Sequence, residues 1–145
     1  MTGVQTCALP IYGEFEPFDA AGYRPFPYLK DELPHVLAAS AAVVSRAGAG
    51  SLWEFMAAGK PALLVPLRGS GTRGDQVRNA ELFERLGAAR VISGDPIVPD
   101  AFLEAVRTLL DPGIGRDMRE RIQAVGRGDA AEKIAGLLLD EMKKE

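Results

Sequence analysis

The sequence predicts an α/β domain of three layers around a parallel sheet. Short apolar runs of buried-strand type, at Ala41–Ser45, Ala62–Val65 and Arg90–Ile92, alternate with longer stretches of helical periodicity. The first run leads through a glycine turn, Gly48–Ala49–Gly50, straight into a helix, the mark of a βαβ-type unit. At 145 residues the chain is long enough for one domain with a real core, and no linker divides it.

Composition excludes several classes. Hydrophobic residues make up 47% and charged residues 26%, which predicts a folded globular chain rather than a disordered one. A net charge of −3 argues against a nucleic-acid partner. No apolar run approaches the roughly 20 residues of a membrane helix. With 1 cysteine, Cys7, and 1 histidine, His35, the chain can build neither a disulfide framework nor a His-based triad or metal cluster.

Tyr12–Tyr28 is rich in aromatic residues, Pro and Gly and reads as strand or extended chain; Pro25 and Pro27 exclude a central strand across their own positions. A helix opens at Lys30 or Asp31, with Leu33, Val36 and Leu37 at helical spacing and Pro34 in its first turn. His35, the one histidine, lies on it and reads as an exposed helical polar residue. After the glycine turn, Ser51 and Glu54 have capping-box spacing, so the next helix is expected to start at Ser51 and stop at Gly59 and Pro61. A polar loop, Leu67–Gly74, precedes a helix capped by Asp75, with Val77, Ala80, Phe83 and Leu86 as its buried face and Gly87 as its stop. Pro99 opens a helix carrying Phe102, Leu103, Val106, Leu109 and Leu110. Asp111–Gly115 is expected to break the chain before a helix through Met118, Ile122 and Val125. Asp129 is expected to cap a last amphipathic helix with Ala130, Ile134, Leu137 and Leu138 as its stripe.

The candidate chemistry gathers at two strand-to-helix junctions. Free amides near Gly48–Ser51, at a helix N-terminus, can hold a phosphate or a sugar hydroxyl; a tight turn without a ligand uses the same residues. Glu54 is either the partner of Ser51 in a cap or an acceptor for paired hydroxyls such as those of a ribose. Gln76 can read sugar hydroxyls, and Asn79 reads as a packing or helix-surface residue. Arg46, Arg68 and Arg73 form a basic rim, either solvated or set against a diphosphate.

The stretch "PYLKDELPHVLAASAAVVSRAGAGSLWEFMAAGKPALLVPL", followed by "RGDQVRNAELFERLGAARVI", resembles the C-terminal domain of the MurG-type glycosyltransferases of glycosyltransferase family 28. The resemblance covers most of residues 24–110 and, more loosely, the C-terminal helices. It implies the C-terminal half of a GT-B glycosyltransferase, a three-layer Rossmann-like parallel sheet truncated at its N-terminus. Its enzymes move N-acetylglucosamine from UDP-N-acetylglucosamine to the lipid-linked muramyl-pentapeptide of peptidoglycan synthesis, with inversion at the anomeric carbon.

By that resemblance Glu54 binds the ribose hydroxyls. Gly48, Ala49, Gly50 and Ser51 approach the diphosphate and sugar, and Gln76 reads the N-acetylglucosamine. Asp75 stands where some relatives carry a second glutamine. Leu29 and Lys30 hold the uracil ring through their backbone, and Arg46 supports the turn. No metal or other cofactor is implied. The acceptor loop, the candidate catalytic base and the membrane-facing patch belong to an N-terminal domain that this chain lacks, so the chain is expected not to turn over substrate alone. The implied setting is the bacterial cytoplasm, on the inner face of the plasma membrane for the full-length enzyme.

Residues 1–11, "MTGVQTCALPI", stand apart: they resemble the conceptual translation of a sequencing-adapter oligonucleotide with a GTG start read as Met, which makes residues 12–145 the expected natural, partial domain. Competing readings are another GT-B transferase or epimerase using a different nucleotide sugar, a folded remnant that binds a partner, and an NADP-binding dehydrogenase domain. The last has G-x-G in "GAGAGS" but no third glycine at the fingerprint position and no acid after the second strand.

Overall fold

The computed structural model describes residues 22–23, 26, 29–69, 74–94, 96–125 and 130–143, and at residue 130 only the backbone. Most of Tyr12–Tyr28, and Cys7, Arg73 and Asp129, lie outside the described residues. The element order is α1 (Leu33–Ala39), β1 (Val43–Ser45), α2 (Ala49–Ala57), β2 (Ala62–Leu64), α3 (Asp75–Arg85), β3 (Ala89–Val91), α4 (Pro99–Leu109), α5 (Pro112–Val125) and α6 (Ala130–Met142).

The strands form a parallel sheet in the order β1-β2-β3, with Val43 opposite Ala62 and Ala62 opposite Ala89. Parallel neighbours need crossovers, and α2 and α3 supply them; with both advancing the same way, the right-handed rule puts both on one face of the sheet. They touch through Trp53 and Phe83, edge to face with ring centres 6.0 Å apart. The middle strand is buried on both faces, Leu63 and Leu64 at 0% exposure, so the opposite face is covered too. There α4 lies against β2 and packs with α5. Leu109, Met118 and Ile122 join Leu52, Phe55, Met56 and Phe83 in one core around β2.

The helix ends follow local chemistry. Gly87, at φ +66°, ends α3 in the left-handed conformation; its N–H donates to the Glu84 carbonyl at 2.8 Å and that of Ala88 to Phe83 at 2.9 Å. The Asp111 carboxylate accepts from the N–H groups of Gly113 and Ile114 at 2.9 and 3.0 Å, so α5 starts at Pro112 and the expected break at Asp111–Gly115 shrinks to a capped corner. Lys60 donates to the carbonyls of Ala38 and Ser40 at 2.8 and 3.0 Å, which satisfies the end of α1.

Three expectations about buried faces change. Leu86 is exposed because the left-handed turn at Gly87 begins there, and Leu103 faces solvent from the flank of α4. The apolar stripe of α6 is uncovered: Ile134, Leu137 and Leu138 are all exposed, with Leu139 and Met142. Periodicity identifies that helix but not a surface for it to pack on. Among the described residues no helix is long and apolar enough to cross a membrane.

Candidate functional site

Both candidate loops leave the sheet at the carboxyl ends of β1 and β2, the edge where open α/β sheets hold ligands. After Ser45, Arg46 turns back and donates to the Val65 carbonyl at 3.1 Å, tying the two strand ends together. The Ala47 residue is fully buried, and Gly48 becomes the N-cap of α2 with its carbonyl accepting from Leu52 at 3.1 Å.

This start differs from the expected one. The helix begins at Ala49 rather than Ser51, and no side chain caps it. Ser51 therefore sits inside the first turn, too late to be the N-cap, and the Ser51–Glu54 capping box does not form. The N–H groups of Ala49, Gly50 and Ser51 have no carbonyl one turn back. They point out of the helix end together with its positive dipole.

The role of the glycines also changes. Neither Gly48, at φ −68°, nor helical Gly50 has a backbone angle that a side chain would resist. A Cβ built on either meets no atom within 4 Å. Backbone strain and neighbour packing therefore leave both positions open to larger residues. What the two glycines create is a bare shelf along the start of α2.

Glu54 is exposed, one turn beyond Gly50 on the same face of α2. Helical side chains lean toward the N-terminus, so its carboxylate is carried back over the shelf. Freed from the capping box, it makes no hydrogen bond or ion pair among the described residues.

The second junction is built by α3. Its N-cap is Gly74, in the left-handed conformation at φ +70°, not Asp75, which occupies the first turn as an exposed acid at the positive end of the helix. Gln76, half-buried, accepts from the Leu67 N–H through Oε1 at 3.0 Å. That bond takes one of the two lone pairs of Oε1 and turns the amide so that Nε2, with both its N–H groups, is the end left for a ligand. Arg68 donates to Ser93 Oγ at 3.1 Å and extends the tied edge to β3.

Asn79, three residues after Gln76 and on the same face of α3, donates from Nδ2 to the Ala47 carbonyl at 3.0 Å. Sequence reasoning read it as a packing or helix-surface residue and did not foresee this partner. The available signal was its spacing from Gln76, which puts both on the face of α3 that looks toward the first junction.

Arg46, Gly48, Ala49, Gly50, Ser51, Glu54, Asp75 and Gln76 thus lie along one edge. Leu29 and Lys30 stand before α1, where the Lys30 carbonyl accepts from Leu33 at 3.3 Å and its N–H donates to Glu32 at 3.3 Å. No described hydrogen bond joins them to the two junctions. His35 is exposed on α1, away from the two junctions in sequence.

Comparison with known proteins agrees with the parallel α/β fold. The glycosyltransferase family 28 C-terminal domain matches over residues 10–134. A Treponema denticola protein named UDP-N-acetylglucosamine–N-acetylmuramyl-(pentapeptide) pyrophosphoryl-undecaprenol N-acetylglucosamine transferase is 42% identical over 129 residues, covering 86% of this chain and 32% of that protein. A Bacillus cereus protein of the same description is 49% identical over 88 residues, 61% of this chain and 25% of its own length.

Among solved structures, Acinetobacter baumannii MurG superimposes with a TM-score of 0.71 at 21% identity, over 81% of this chain and 33% of that one. The glycosyltransferase VinC in complex with dTDP does so with a TM-score of 0.61 at 27% identity, over 72% and 25%. The chain spans about a third of the length of these relatives or less. With its family match and its parallel α/β architecture, this chain belongs to glycosyltransferase family 28, through that family's C-terminal domain.

Proposed function

We propose that the chain binds UDP-N-acetylglucosamine as the donor half of an inverting N-acetylglucosaminyltransferase of peptidoglycan synthesis. The observation that carries this reading is an exposed Glu54, without a hydrogen bond or ion pair among the described residues, one turn after an open row of helix amides, at an edge that also presents the Gln76 donor. The amides at Gly48–Ser51 receive the diphosphate, where the helix dipole and the bare Gly48 and Gly50 favour an anion at close range. Glu54 accepts from the paired ribose hydroxyls. Gln76 donates through Nε2 to an oxygen of the sugar, Leu29 and Lys30 offer backbone groups to the uracil, Asp75 stands at the rim of the sugar subsite, and Arg46 keeps the turn in place.

Direct displacement at the anomeric carbon needs a base for the acceptor hydroxyl and stabilisation of the departing diphosphate. The α2 amides supply part of the second requirement. The base, the lipid-linked muramyl-pentapeptide site and any peripheral attachment to the bacterial membrane belong to the portion of the relatives that this chain does not span. Residues 1–11 are no part of the donor site, and a chain starting at Tyr12 binds the donor equally well.

Calorimetric titration tests the reading. UDP-N-acetylglucosamine and UDP are expected to bind and NADPH not to, with Glu54→Gln weakening UDP by about tenfold, as loss of charge-assisted hydrogen bonds implies. Tighter binding of NADPH than of UDP, or an indifferent Glu54→Gln, would overturn it. Release of UDP by the isolated chain in the presence of lipid acceptor would overturn the assignment of the base to the missing portion.

A further inference from the structure

We infer that Asn79 is a positioning residue for the diphosphate: it sets the direction of the Gly48 N–H without touching the ligand. The Asn79 amide donates to the Ala47 carbonyl at 3.0 Å across 32 residues of sequence, from a part-buried side chain to a fully buried residue. The carbonyl it holds belongs to the peptide that links Ala47 to Gly48. That peptide is planar and trans, so its C=O and N–H point in opposite directions. Drawing the carbonyl toward α3 turns the Gly48 N–H away from α3, out of the turn.

Glycine at this position would otherwise leave the peptide free to rotate. Gly48 has open space around its Cα, and no side chain caps the helix it starts. The Gly48 carbonyl is fixed by Leu52 at 3.1 Å, but that bond constrains the following peptide, not the preceding one. Asn79 supplies the missing constraint. Gln76, one turn earlier on α3, holds the Leu67 N–H at 3.0 Å, so the first turns of α3 fasten both loops of the edge.

The inference rests on the donor-binding reading and adds to it a residue that acts through another. Its mark is selectivity among ligand parts. A general loss of structure weakens every ligand alike, whereas a misdirected Gly48 amide weakens only ligands that carry the diphosphate.

The experiment is an amide-resolved NMR titration of the 145-residue chain with UDP and with uridine. In the unmutated chain the Gly48 amide resonance is expected to move with UDP and to stay in place with uridine. In Asn79→Ala the affinity for UDP is expected to fall about tenfold, the scale of one buried hydrogen bond, with uridine changed less than about twofold. Asn79→Asp, which keeps the shape but sets an acceptor against the Ala47 carbonyl, is expected to do the same or more.

An unchanged ratio of UDP to uridine affinity in both variants would overturn the inference. So would a Gly48 resonance in the unmutated chain that does not respond to UDP, and this holds even where a variant does not fold. Failure of the unmutated chain to bind UDP at all would sink the donor reading along with it, an outcome distinct from intact UDP binding that is indifferent to Asn79.

Discussion

Replacing Gly50 with alanine should move stability and binding in opposite directions. Gly50 is helical, exposed and free of strain, and a Cβ built there meets nothing within 4 Å. In an exposed helical position glycine costs about 0.5–1 kcal/mol relative to alanine, because it gives up more backbone freedom on folding. The first turn has fewer hydrogen bonds to gain, so the lower half of that range applies, and for a chain of this length it raises Tm by about 1–3 °C.

The added methyl stands on the shelf beneath Glu54, in the space assigned to the diphosphate and sugar. A single obstruction there should weaken UDP-N-acetylglucosamine by at least about tenfold, or 1.4 kcal/mol. Urea denaturation with an unchanged m-value reads the first effect and calorimetry the second. A lowered midpoint would mean that the fold itself requires the glycine. A raised midpoint with unaltered affinity would mean that no ligand crosses the shelf.

Gly87→Ala should destabilise by about 1–2 kcal/mol, the cost of a side chain at a left-handed residue, since Gly87 sits at φ +66°. The new Cβ also crowds Arg121, with Cδ 2.6 Å away, but that side chain is exposed and can swing aside, so the same loss is expected in an Arg121→Ala background; rescue by Arg121→Ala would place the strain in packing instead. Lys60 should give stability an alkaline slope. Burial and the nearby Arg119 guanidinium lower its pKa from 10.5, so in the window beneath 10.5 the unfolded chain holds a proton that the folded chain has released. Stability from this group is fully present above 10.5 and is lost as pH falls through the folded value. Lys60→Met should abolish that slope in denaturation midpoints taken across the window, and a slope that persists would assign it to another group.

The strands and the order of helices were legible because apolar runs and glycine stops are local signals. All three strands fall inside or within one residue of the expected runs, and Gly59 and Gly87 end helices where their sequence context said they would. The helix starts were less legible. Ser51 and Asp75 both have cap-forming side chains, yet glycines cap both helices: the caps of α2 and α3 fall three residues and one residue earlier than side-chain chemistry suggests. The residues proposed to meet the ligand were recognised through their motifs, whereas the residue that ties the two loops together was not. A bond from Asn79 to Ala47 spans 32 residues and ends on a carbonyl, and a main-chain partner leaves no trace in the identity of the residue that bears it.

That property reaches beyond a single bond. Arg46, Gln76 and Asn79 all anchor on backbone atoms, of Val65, Leu67 and Ala47. Every amino acid at the receiving positions offers the same carbonyl, and every one but proline the same N–H. Substitutions at 65 and 67 that respect size and polarity leave these anchors intact, while the three residues that reach out have no equivalents next door. Such a rim drifts in sequence on one side only, and its geometry can outlast changes in the residues that receive its bonds.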